Sequence, residues 1–112
     1  MNLLEIDIET DDRSLSSQFM GMPKETVVFT AGAAPVVFRG FLVRKSADVL
    51  SDALKFVVDA SINIDLALLG AWLYDKVKNR PATQMRIRRK IVTELTEEGI
   101  KQVLKEEITL LK

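Results

Sequence analysis

Residues 4 to 9 read Leu-Glu-Ile-Asp-Ile-Glu, a strict alternation of apolar and acidic side chains. Successive side chains of a β-strand point to opposite faces, so this period describes a strand with one dry face and one wet face. Leu4, Ile6 and Ile8 are expected to face a core, and Glu5, Asp7 and Glu9 to face away from it. Any fold for the chain must therefore contain a sheet with one packed face and one polar face at this strand.

Thr26–Thr30 and Val36–Val43 are apolar, β-branched runs joined by Ala-Gly-Ala-Ala, which suits a hairpin. Pro35 sits at the opening of the second run, where a strand tolerates it. Val36-Val37-Phe38 and Phe41-Leu42-Val43 are apolar on both faces, which calls for cover on both sides. After Ser46, a candidate N-cap with Asp48 in the first turn, Val49, Leu50, Ala53, Leu54, Val57 and Val58 recur at helical spacing. Ser61, Asn63 and Asp65 are candidate caps for a second helix reaching about Lys78. In it Leu66, Leu69, Leu73 and Val77 form one stripe, and Leu68 and Trp72 form another beside it. Pro81 stops the helix from continuing. Gln84 to Val92 reads as a fourth strand, with Met85, Ile87 and Ile91 on one face and Arg86, Arg88 and Lys90 on the other. Arg89 falls on the apolar face, which demands a bulge or an acidic partner. Thr96 caps a last helix with Glu97 and Glu98 in its first turn and the stripe Ile100, Val103, Leu104, Ile108, Leu111.

The expectation is a single α+β domain over residues 1–112, in the order β-β-β-α-α-β-α. A mostly antiparallel four-stranded sheet packs against three helices. The length of 112 residues suits one core. The apolar faces of Val36–Val43 and of the Trp72 helix exceed what a small domain readily buries, so a homodimer is a further expectation.

Composition removes several chemistries. With no cysteine there is no disulfide, thiolate metal site or thiol nucleophile, and with no histidine there is no imidazole base. Glycines form neither GxGxxG nor GxxxxGK. Asp7, Glu9, Asp11 and Asp12 are dense, but a solvated strand face explains them better than a magnesium site does. No catalytic residue, metal ligand or cofactor is assigned. The acidic N-terminus lacks the pattern of a secretory signal and no apolar run is long enough to span a bilayer, so a cytoplasmic location is expected.

Charge is segregated along the chain. Residues 1 to 12 hold Glu5, Asp7, Glu9, Asp11 and Asp12 with no base, while residues 76 to 90 hold seven bases and no acid. Pairing across neighbouring strands is the plainest explanation. The functional expectation is a non-catalytic protein-binding domain, of the immunity, inhibitor or regulatory kind. A basic partner such as a toxin or nuclease would be met by Glu5, Asp7, Glu9, Asp11 and Asp12. The second candidate contact is the loop Asp11 to Lys24, through Phe19, Met20 and Met22; the alternative for these side chains is plugging the core edge. The competing reading is a nucleic-acid-binding domain that uses Arg86, Arg88 and Lys90 on phosphates, although no aromatics are interleaved for base stacking.

The final third, from Gly70-Ala-Trp-Leu-Tyr-Asp-Lys to Leu95-Thr-Glu-Glu-Gly-Ile, is similar to the ends of many small bacterial proteins. The resemblance implies a bacterial accessory protein, immunity partners of toxins included, and assigns no site residue.

Overall fold

Leu4, Ile6 and Ile8 are fully buried and Glu5 is exposed, as the alternation demands. They belong to β1 (Leu3–Thr10) in a computed structural model that describes residues 2–45 and 50–112. The remaining elements are α1 (Arg13–Ser16), β2 (Thr26–Ala31), β3 (Ala34–Lys45), β4 (Leu50–Asp59), α2 (Leu66–Val77), β5 (Thr83–Ile87), β6 (Lys90–Ile91) and α3 (Glu97–Leu111). The class is α+β with three helices and one antiparallel sheet, but the sheet has six strands rather than four. Their order is β2-β3-β4-β1-β5-β6.

Two readings account for the difference. Residues 50–59 form strand β4 instead of the expected helix; Ser46, Asp48 and Val49, its proposed start, lie outside the described residues. The run Ala53-Leu54-Lys55-Phe56-Val57-Val58 satisfies both periods. Leu54, Phe56 and Val58 line the core, while Ala53 and Val57 are buried on the opposite face. A strand held between β3 and β1 is apolar on both sides, and spacing alone cannot then separate it from a helix. The second difference lies at Arg88 and Arg89, both left-handed with φ of 49° and 72°. They are the turn between β5 and β6, where Arg86 pairs with Ile91 and Ile87 with Lys90. A two-residue turn with φ positive twice has the geometry that suits strand twist. Arg89 is thus a turn residue, with neither a bulge nor a buried partner to explain.

The caps fall where the residue types place them. The Asp65 carboxylate accepts from the Leu68 N–H at 3.1 Å, and the Thr96 hydroxyl accepts from the Gly99 N–H at 3.0 Å. The β2–β3 turn needs Gly32, whose φ is +68°.

All three helices contribute to one face of the sheet. Leu15, Leu69, Leu73, Val77, Ile100, Leu104 and Ile108 join Leu4, Ile6, Ile8, Phe38, Leu54, Phe56, Val58, Met85 and Ile87 in one core. The molecule measures 40 × 30 × 20 Å, and its short dimension matches a helix layer on a single sheet. Among the described residues, no helix covers the other sheet face.

Candidate functional site

The uncovered face can be read row by row from the strand registers. Val27 lies beside Val37, Val37 beside Val57, and Val57 beside Glu5. In the next row Lys55 lies beside Asp7, Asp7 beside Arg86, and Arg86 beside Ile91. In the third, Leu42 lies beside Ala53, Ala53 beside Glu9, and Glu9 beside Gln84. The face therefore has an apolar quarter, where Val27 is 53% exposed, and a charged centre on β1. The acids are central in the sheet, with bases on both sides.

The charge segregation resolves only in part into pairing between β1 and β5. These strands are neighbours, yet Asp7 forms its ion pair with Lys55, at 3.4 Å. Asp12 lies 3.1 Å from the Arg80 Nε. Hydrogen bonds from the Ser14 hydroxyl and N–H, with Arg80 adding to them, hold the Asp12 carboxyl below its ordinary range. Its acceptor role is to cap α1, and Asp11 stays exposed beside it.

The basic residues separate instead of forming one row. Arg86 is exposed on the open face with no ion pair among the described residues. Arg88 turns to Glu107 of α3 at 3.5 Å, and Glu107 is almost fully buried. Lys90 bonds Glu106 of α3 at 2.5 Å. That bond raises the Lys90 pKa and lowers that of Glu106, which also accepts from Gln102. The turn at Arg88-Arg89 breaks the alternation that a single strand would have kept, so the expected Arg86-Arg88-Lys90 row is not present.

The loop residues also divide. Phe19 is buried, its ring 5.6 Å from Phe38 and 5.3 Å from Phe56, so this side chain is not available as a surface contact. Met22 packs on the core, and Met20 is 61% exposed. The core fastens this loop on the helix side of the sheet, opposite Glu5, Asp7 and Glu9. The acids and the loop are two separate surfaces.

Two features were not legible beforehand. Asp52 is buried at the end of β4 on the core side. One of its oxygens lies 3.8 Å from the Arg13 guanidinium, and Oδ1 accepts no hydrogen bond among the described residues. Its only cue was an acid at the head of an apolar run. Between β6 and α3 an open groove of about 420 Å³ is lined by Lys90, Glu94, Glu98, Gln102 and Glu106 among others. It is polar and shallow, unlike the enclosed apolar pockets that hold small ligands. Among the described residues, no three acids converge as a metal site would require. No described helix is long and apolar enough to cross a membrane.

No protein-family model, no curated protein and no solved structure matches this chain. The chain is thus defined by its fold, an α+β architecture with one sheet face that no described helix covers.

Proposed function

We propose that this protein is a non-catalytic binding module that engages a partner protein through the open face of its sheet, as an inhibitor, immunity or regulatory protein would. The observation that carries the reading is the placement of Glu5, Asp7 and Glu9 in a line along one of the two central strands, on a face that no described helix covers. A sheet built to stand alone can leave a polar face wet. This face adds Val27 and Leu42, exposed at 53% and 47%, to one side of the charges, so it offers apolar contact area as well as charge to a partner.

The partner that fits is a protein with basic side chains. Its Lys or Arg groups would compete with Lys55 for Asp7 and meet Glu5, which is exposed. Charge complementarity of this kind chiefly sets encounter rate and partner choice. The nucleic-acid reading loses ground because Arg88 and Lys90 are already neutralised by Glu107 and Glu106. Arg86 alone of the three keeps its charged group on the open face.

The test is capture of partners by the full chain, with and without nuclease. Glu5→Lys with Asp7→Lys is run as the charge-reversed bait. A stoichiometric, nuclease-resistant protein captured by the native chain and lost with the reversed one supports the reading. Capture that is equal for both baits refutes it. Capture that disappears with nuclease, and with Arg86→Glu, transfers the function to nucleic acid.

A further inference from the structure

The two edges of the sheet differ in kind. β6 is two residues long, carries Lys90, and is tied through it to α3. Short length and charge are the usual devices that keep an edge from pairing. β2 runs for six residues, Thr-Val-Val-Phe-Thr-Ala, without a charge or a proline. Among the described residues no strand pairs with its far side. Its one irregularity is a register shift between Val27 and Phe29.

Beyond that shift the ladder is regular. Ala31 pairs with Ala34 across the two-residue turn, and Phe29 with Val36. Antiparallel ladders alternate, so Thr30, between those two positions, directs its N–H and C=O away from β3. The flank above the edge is apolar. Trp72 of α2 stacks on Phe29 of β2 at 5.4 Å. α3 lies on the opposite side of α2, where Gly70 faces Lys101. Leu68, one turn before Trp72 and on its side of the helix, is 46% exposed. A strand laid against β2 would sit beneath Leu68.

We propose that β2 is a self-association edge, and that two copies pair their β2 strands antiparallel about a two-fold axis. The product is one continuous sheet, six strands from each copy, with the two α2 helices meeting near Leu68. Three observations select a second copy as the occupant. Each protomer has one competent edge, so edge pairing is isologous and closes at two; a head-to-tail contact would need both edges. The strand is uncharged, so laying it against itself brings no like charges together. The ends of the seam are complementary. Lys24 precedes β2, and Asp65 stands at its other end with its N–H on the Ala31 carbonyl at 3.2 Å. Antiparallel pairing carries each Lys24, whose stem lies over Gly40 of β3, towards the other copy's Asp65, whose carboxylate also caps α2. Glu25, the nearby acid, is already held by Arg39 at 2.7 Å.

The experiment is sedimentation of the full chain over a wide concentration range. The native protein is expected at twice 12.6 kDa. Thr30→Pro removes the outward donor without touching the β3 ladder, and Leu68→Glu charges the exposed flank; each is expected to weaken association at least tenfold. Circular dichroism and thermal melting check folding, and Leu68→Glu decides the matter if Thr30→Pro fails that check. Asp7→Lys, on the open face, is expected to leave the mass unchanged, which separates this inference from the proposed function. A native chain that stays monomeric overturns it. So does a dimer untouched by Leu68→Glu, a dimer dissolved by Asp7→Lys, or a monomer whose edge takes up only an extended peptide of another protein.

Discussion

The indole of Trp72 lies nearly parallel to the ring of Phe29, 12° apart, and edge-on to Phe56 at 89°. Lys76, one turn on, places its Nζ 5.0 Å from the indole centroid. One half-buried side chain thus joins the edge strand, the core and the outer surface of α2. Trp72→Ala should destabilise the fold by about 2–4 kcal/mol, since the ring is large but only partly enclosed. In a double-mutant cycle with Phe29→Ala the coupling should be about 0.5–1.5 kcal/mol. Strict additivity in urea melts would show that the stack holds no energy of its own.

Two helical glycines should respond in opposite directions to alanine. A Cβ at Gly99 would lie 2.1 Å from the Glu94 carbonyl oxygen, an overlap that backbone must move to relieve. Gly99→Ala is expected to cost about 1–3 kcal/mol. A Cβ at Gly70 would find its nearest neighbours at 3.6 Å, ordinary contact with Glu97 and Lys101. Gly70→Ala should stabilise by about 0.5–1 kcal/mol through helix propensity. Chemical denaturation of the pair decides it, and a destabilised Gly70→Ala would mean that the α2–α3 crossing is tighter than these distances.

Arg89 holds φ of 72° in an exposed turn and has no ion pair among the described residues. A non-glycine residue there carries strain of about 1–2 kcal/mol, partly offset in any exchange by glycine's looser unfolded chain. Arg89→Gly should therefore raise stability by about 0.5–1 kcal/mol. A lower melting temperature would instead assign a stabilising contact to the Arg89 side chain.

Acid should loosen two joints. The Asp12 and Glu106 carboxyls are both held below their ordinary range, the first chiefly by Ser14 and the second chiefly by Lys90. A lowered folded pKa means that the stabilisation is complete above the unfolded value, about 4, and is lost as pH falls through the folded value. Lys90 is shifted upward, so its share is complete below about pH 10 and is lost as pH rises through the higher folded value. Glu106→Gln should make the acid limb of stability against pH shallower, leaving the share from Asp12, and reduce the alkaline loss from Lys90, which Glu107 also raises. Unaltered limbs in the variant would show that this exposed pair adds nothing measurable, as many surface pairs do.

Much of this fold could be read along the chain because it rests on local chemistry. The alternation in β1, the cap at Thr96 and the stop at Pro81 depend on neighbours within a few residues and were expected at their places, and Asp65 is the cap among the three candidates Ser61, Asn63 and Asp65. β4 and the β5–β6 turn were not. Residues 50–59 carry apolar side chains on both faces, and only the presence of β3 and β1 on either side makes them a strand. Arg88 and Arg89 are poor turn residues by type; the hairpin puts them there because Ile87 and Val92 are drawn into the core on either side. The outward direction of Glu5, Asp7 and Glu9 was already implied by their period. That no described helix covers their face, that Arg88 and Lys90 turn to α3, and that Phe19 closes against Phe38 and Phe56 were tertiary outcomes. Sequence by itself determined which side chains seek water and where helices begin, since those are properties of a few adjacent residues. Which surfaces stay uncovered was decided only when distant segments competed for the same core, and it is those surfaces that a partner would meet.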